Sequence, residues 1–491
     1  MNVYFTIREA LTMGNRFLKL LALLMALALL ATGLALSEEG VQIDGAIETE
    51  QAGETGAAKL DIDGAALVSE DVEANDKGDE IVAKIDKANF PAADFRKYVL
   101  KNIDANGDGK LSKSEADAVT ELMLRTYEDA EEGKNDWNIS TLKGVEYFPN
   151  LEQLECHKCK VKELDVTKNA KLKALDCEHN SLTKLDVSKC PELDELRCRD
   201  NKLSKLDLSK CPKLTELECS ENQLSNLDVS KCTKLEGLWA SNNKLTKLKL
   251  PASAKLHEVQ VMENKLKKLD VSGNKNLEGL NCENNQLTAL NLSKNAKLVQ
   301  LNCSGNKLTK LDVSKNTKLT ELSCNDNQIK TLNLKGCKAL KYVKAWSNRL
   351  KTLDITQNTK LEQLRLFGNQ LSALDTSNNA RLTHLNLTGN RLKALDVTKN
   401  TRLIQLNAND NQLKKLNVSK NPKLQFLYTN GNAIKTLDLK NNKILRGYLK
   451  NKIWKEEDGI YWSYEGEDDL WGLGIDYGTK LTSGSKVLFE G

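Results

Sequence analysis

Leucine recurs along most of this chain with a fixed period. A leucine opens each 21-residue unit at Leu151, Leu172, Leu193 and so on to Leu424, fourteen starts with no insertion or deletion. Each unit divides into similar halves of ten and eleven residues. A half carries an apolar residue, two variable ones, Leu, one variable, an apolar residue, two variable ones and usually Asn, as in Leu298-Val-Gln-Leu301-Asn-Cys303-Ser-Gly-Asn306. The Leu-x-Cys and Leu-x-Val triplets alternate inward and outward as strands do. One unit is too short to bury its own leucines. Stacking the next about 4.8 Å away continues the same core, so stability comes from neighbouring coils. The pattern predicts a parallel β repeat solenoid of about fourteen coils over residues 151–442. The column Asn180, Asn201, Asn222 falls where each coil turns, and buried amides there can pair with turn backbone of their own and the adjoining coil.

The remaining segments have different signatures. In residues 1–37, Arg16 and Lys19 precede the apolar run Leu20–Leu30, and Ala35-Leu36-Ser37 fits a signal-peptidase site. A membrane anchor is the alternative, for which the run is short. Residues 38–89 hold 15 Asp/Glu, 4 Lys and no aromatic, and read as an acidic disordered linker with structure beginning near Phe90. Residues 90–150 read as a helical cap, with helices at Phe95–Ile103 and Ser114–Leu124 around a twelve-residue loop. That loop places Asp104, Asn106, Asp108, Lys110, Ser112 and Glu115 at the ligand positions of a calcium-binding EF-hand, with Gly109 at the sharp turn. One structural calcium ion is the cofactor this spacing predicts. A relic of turn chemistry is the alternative. Residues 443–491 are rich in Trp and Tyr and read as a β cap over the open end of the solenoid. The rival is a small carbohydrate- or wall-binding module.

The repeat resembles the leucine-rich repeat family. It is most similar to the bacterial 21-residue class and, among named groups, to the cysteine-ladder internalins. The resemblance covers roughly residues 90–442. It implies a curved or twisted parallel solenoid with a small EF-hand-like helical cap and ligands held on the strand face. No wall-anchor pattern follows the repeats, which departs from surface-attached members.

Twelve cysteines in an exported chain would ordinarily suggest disulfides. Their register argues for free thiols. Cys156, Cys177, Cys198, Cys219, Cys282, Cys303 and Cys324 share the inward position of the first strand, where other units place Ala, Val or Leu. Side chains in register point in parallel, with Cβ atoms about 4.8 Å apart, wider than a disulfide takes. Cys190, Cys211, Cys232 and Cys337 replace Asn at the second turn, and Cys159 at the first. Cys156-His157-Lys158-Cys159 mimics a zinc half-site, but no second pair completes it. A column of aspartates from Asp165 to Asp438 faces outward on the second half. Turn hydrogen bonds and nearby lysines account for it better than a calcium ladder does.

The outward third, fifth and seventh positions of each unit carry the variation. Early units are acidic, with Glu155, Asp176, Glu195, Glu216 and Glu218 around Arg197, and middle units are bland. Later units become aromatic and basic: Tyr342, Lys344 and Trp346, then Arg365 and Phe367, then His384, and finally Phe426 and Tyr428. Trp239 stands alone earlier. Aromatics beside Arg have the composition of an interaction hot spot and could also stack on sugars. The bland alternative is packing under the C-terminal tail.

A net charge of +4 leaves no electrostatic footprint for nucleic acid. Four histidines, none in a nucleophile or metal-ligand motif, and no phosphate loop argue against an enzyme. The sequence therefore predicts a secreted or surface-exposed bacterial binding or adhesion protein with a protein or glycan ligand, and no transmembrane segment after signal cleavage. A structural or wall-associated repeat protein is the alternative.

Overall fold

A computed structural model describes residues 79–124, 138–450, 454–457, 460–464, 471–476 and 478–490. The signal reading at residues 1–37 and most of the linker reading lie outside them. The described structure begins with strand β1, Ile81–Lys84, inside the stretch read as linker. It pairs antiparallel with β2, Lys110–Ser112, the exit of the twelve-residue loop. The loop leaves an open strand edge, and β1 fills it. Helix α1, Ala93–Asn102, enters the loop, and α2, Lys113–Ala118, leaves it. Ser112 and Glu115 form a reciprocal capping box that starts α2. This second helix is shorter than expected. After Val119-Thr120 the chain becomes strand β3, Glu121–Met123, which pairs in parallel with Gln153–Glu155 and so covers the first rung of the solenoid. Phe90, Phe95 and Phe148 are fully buried here, with the Phe90 and Phe95 rings edge to face at 5.7 Å.

From Gln153–Glu155 to Phe426–Tyr428, fourteen short strands pair in parallel, each with the equivalent triplet of the following unit. Leu175 pairs with Leu196, and Leu196 with Leu217, so the leucines line up rung on rung. All three are at most 1% exposed. At the far end Trp471–Asp476 adds in parallel to Phe426–Tyr428, and Lys480–Ser483 adds to Thr436–Asp438. A helix that the pattern does not foreshadow, α3 at Lys443–Lys450, precedes these strands. The sheet is open, since its pairings run in one line from β3 to Trp454–Glu457. The second half of each unit keeps its inward leucine, but ladder strands form there in few coils, as between Asn226–Asp228 and Lys247–Lys249.

Two side-chain ladders tie coil to coil. In the first, Asn201 donates from Nδ2 to the carbonyl of Cys177 in the preceding coil at 2.9 Å and to Cys198 and Arg199 in its own. Its Oδ1 accepts from Leu182 N–H at 2.9 Å. The same set recurs down to Asn432. In the second, Asn295 and its equivalents donate to two carbonyls, but the buried Oδ1 atoms of Asn169, Asn295, Asn316, Asn379, Asn421 and Asn442 accept no hydrogen bond. Where Cys replaces Asn, the thiol reaches the same carbonyls: Cys190 Sγ lies 3.5 Å from Val166 O, and Cys337 Sγ 3.0 Å from Val313 O and 3.5 Å from Asn316 O.

The residue before the first ladder sits in the left-handed region in every coil, at φ 53° in His179, 56° in Glu221 and 49° in Ser347. Gly305, Gly368, Gly389 and Gly431 occupy the same column without the Cβ penalty that the other residue types bear there. The outward aspartates accept from the amide two residues on, as Asp186 does from Ser188 at 2.9 Å, and this bonding holds the Asp186 carboxyl below the usual range. Lys249 pairs with Asp228 at 2.8 Å.

Candidate functional site

The strand face brings part of the predicted ligand surface together. Tyr342, Gln363 and His384 are register neighbours on consecutive rungs, as are Lys344 and Arg365. Two positions beyond Lys344 and Arg365, Trp346 and Phe367 stack face to face, with centroids 5.1 Å apart and planes 8° from parallel. Both rings are half-buried, and the Lys344 and Arg365 side chains beside them are exposed. The Tyr342 hydroxyl reaches Glu362 at 3.2 Å, and burial with this carboxylate raises its pKa. His384 donates to or accepts from Thr383 at 2.9 Å. Burial and the neighbouring Arg365 guanidinium hold its imidazole below the usual value. The patch is therefore a flat aromatic plate rimmed by two cations.

Three other candidates lie apart from that plate. Four strands separate Trp239 from Tyr342–Lys344, and its ring folds back over Gly237 of its own strand, where any Cβ would collide with it. Phe426 and Tyr428 sit on the last rung, separated from His384 by Gln405–Asn407 and flanked by Trp471–Asp476. The middle coils, bland in sequence, hold a shallow polar hollow lined by Glu258, Gln260, Asn281, Gln300, Asn302 and Ser323. Gly279 opens it by presenting no side chain, and the Glu258 carboxylate lies across that glycine. In the first coils, Arg197 meets Glu195 at 2.5 Å and Glu216 at 3.7 Å. Burial, with Asp176 and Glu218 nearby, pushes the Glu178 carboxyl up to about 7.

The twelve-residue loop folds around its own amides. Asp104 accepts from Gly107, Asp108 and Gly109 N–H at 2.9–3.2 Å. Asn106 accepts from Asp108 N–H at 3.0 Å. Glu115 reaches back to Ala105 N–H at 2.8 Å and to Ser112 N–H and Oγ at 2.9 Å. The Asp108 carboxylate takes the Lys110 ammonium at 2.9 Å. The all-oxygen donor set fits a hard cation such as calcium in kind. Among the described residues, however, the group of three His, Cys, Asp or Glu residues whose ligand atoms all lie within 4.8 Å of one another is His157, Glu178 and His179, and not one from the loop.

The coil geometry is shared with solved structures. The functional domain of InlJ from Listeria monocytogenes, which includes a cysteine ladder, is 33% identical, with 75% of each chain covered and a TM-score of 0.59. The chain belongs to the internalin-like leucine-rich repeat proteins. Internalin InlF from Listeria monocytogenes shares the fold at 22% identity and a TM-score of 0.52, over 70% of this chain and 96% of that one. No family model and no curated protein matches the sequence.

This internalin-like protein carries its own cysteine columns, and all twelve cysteines are buried thiols outside any disulfide. Burial pushes Cys282 and Cys324 up to about 12. A thiolate is the form that reacts, so the folded protein should resist iodoacetamide at about pH 8, and all twelve thiols should alkylate after denaturation. Mass spectrometry of the two samples checks this, and labelling of the Cys282–Cys303–Cys324 column in the native state would contradict it. No described helix of the internalin-like chain is long and apolar enough to cross a membrane.

Proposed function

We propose that this is a secreted or surface-exposed binding protein that takes a protein ligand on its strand face, at Tyr342, Lys344, Trp346, Arg365, Phe367 and His384. The observation that carries this reading is the Trp346–Phe367 stack beside two exposed cations. Half-exposed aromatics stacked on a rigid sheet lose little entropy when covered, and Arg with Trp is the composition of interface hot spots. Export rests on the signal pattern in residues 1–37. Among the described residues the strand face is regular and its hollow shallow, which suits binding better than catalysis. The full chain should be screened on arrays of host surface proteins and of glycans. Protein hits that disappear with Trp346→Ala support the reading. Glycan hits alone, or none, support the wall-associated alternative.

Calcium at Asp104, Asn106, Asp108, Lys110, Ser112 and Glu115 is proposed as a structural brace for the cap. Extracellular sites of this type bind at about 10⁻⁴–10⁻³ M, so about 10 mM calcium should contribute roughly 1.4–2.7 kcal/mol to the cap. Calorimetry should show a melting temperature several degrees higher with calcium than with chelator, and no such difference in Asp104→Ala. Identical melting of the native chain in both conditions would remove calcium from the account.

A further inference from the structure

We propose that His157, Glu178 and His179 form a transition-metal site on the first two coils, of a kind that takes zinc. Two of the chain's four histidines meet here. One ligand atom from each of the three residues lies within 4.8 Å of the other two. His157 follows the strand Gln153–Glu155, and Glu178 is its counterpart in the next coil. Backbone bonds from Cys156 N–H to Asp176 O at 2.8 Å and from Lys158 N–H to Glu178 O at 3.0 Å fix the two side by side. The imidazole Nδ1 of His157 faces the Glu178 carboxylate at 3.7 Å and that of Asp176 at 3.9 Å. The His157 and His179 rings meet edge to face at 4.9 Å.

His179 is oriented as metal-binding histidines are. Its Nδ1 is 2.9 Å from the Asp200 carboxylate one coil on, which leaves Nε2 for a ligand. The neighbouring thiols take no part, since Cys156 and Cys159 are buried in the core. Two imidazoles and a carboxylate select zinc, nickel or copper over calcium and magnesium. Tetrahedral zinc holds its ligands about 3.3 Å apart, so small rotations of surface side chains complete the site. The side chains are 18%, 16% and 30% exposed, which keeps the site reachable and leaves a fourth position for Asp176, water or a partner's side chain.

The test is calorimetric titration of zinc into the tag-free full chain at about pH 7.5, with excess calcium present to fill the loop. One zinc per chain is expected, with a Kd below about 10 µM. His157→Ala and His179→Ala should each weaken it by at least about tenfold, while His257→Ala and Cys159→Ala leave it unchanged. Circular dichroism of each variant shows whether it is folded. Zinc binding that survives loss of both histidines, that is displaced by calcium, that follows the cysteine, or that is absent from the native chain would overturn the proposal.

Discussion

Replacing Asn285 by Ala should lower the stability of the solenoid by about 3–5 kcal/mol, whereas replacing Asn316 by Cys should cost less than about 1 kcal/mol. The two asparagines are both buried and lie in neighbouring coils, but they do different work. Asn285 donates to Val261 O at 2.9 Å, to Cys282 O at 3.2 Å and to Glu283 O at 3.1 Å, and accepts from Leu266 N–H at 2.9 Å. Alanine strands one buried N–H and up to three carbonyls, and a stranded buried group costs about 1–3 kcal/mol. Asn316 donates to two carbonyls, and its Oδ1 has no partner to lose. The next coil already holds Cys337 at that position, with its thiol on the equivalent carbonyls at 3.0 and 3.5 Å. Denaturant midpoints of the two variants decide the matter. Equal losses would mean that the two ladders are interchangeable and that the cysteines in the second are incidental.

The double change Trp346→Ala and Phe367→Ala should weaken the protein ligand by about 10²–10³-fold, or roughly 3–4 kcal/mol, with the melting temperature within a degree or two of the parent. Both rings lie on the outward column, while Ala345 and Leu366 beside them fill the core. The stack therefore contributes little to coil packing and much of the flat surface a partner can cover. Trp239→Ala is the internal reference, because that ring is folded on Gly237 and lies beyond four intervening strands. Titration of the array-selected ligand into the three proteins reads the difference. Equal affinities would favour a spacer without a dedicated partner at this face.

The solenoid is legible in the sequence because one short rule is repeated without a slip. Leu154, Leu175 and Leu196 must be inward if any of them is, and the asparagine columns follow at fixed offsets. The aromatic plate is legible for the same reason: Trp346 and Phe367 are one full period apart, and residues at that spacing must be neighbours. What escapes depends on partners that local sequence does not name. Ile81–Lys84 sits among acidic residues and becomes a strand only because Lys110–Ser112 offers an edge. Glu121–Met123 continues a helical pattern but is taken up by the edge of Gln153–Glu155. The left-handed column is hard to see because Lys158, His179, Asp200 and Glu221 have no chemistry in common. In sequence His157 pairs naturally with its flanking cysteines, although those turn inward and the repeat offset sets Glu178 beside it. Gly279 does leave a signal, a missing side chain in an outward column, and the hollow beside Asn281 is its consequence.

Hydroxyl-radical footprinting of the chain with and without its array-selected protein ligand shows whether the Trp346–Phe367 plate is the surface that is covered. It reads side-chain accessibility, and Tyr342, Trp346 and Phe367 are reactive residue types on one surface. Oxidation of these three should fall sharply in the complex while that of Trp239 is unchanged. Protection of Trp239 or of the Glu258–Asn302 hollow, with Trp346 and Phe367 still oxidised, would contradict it.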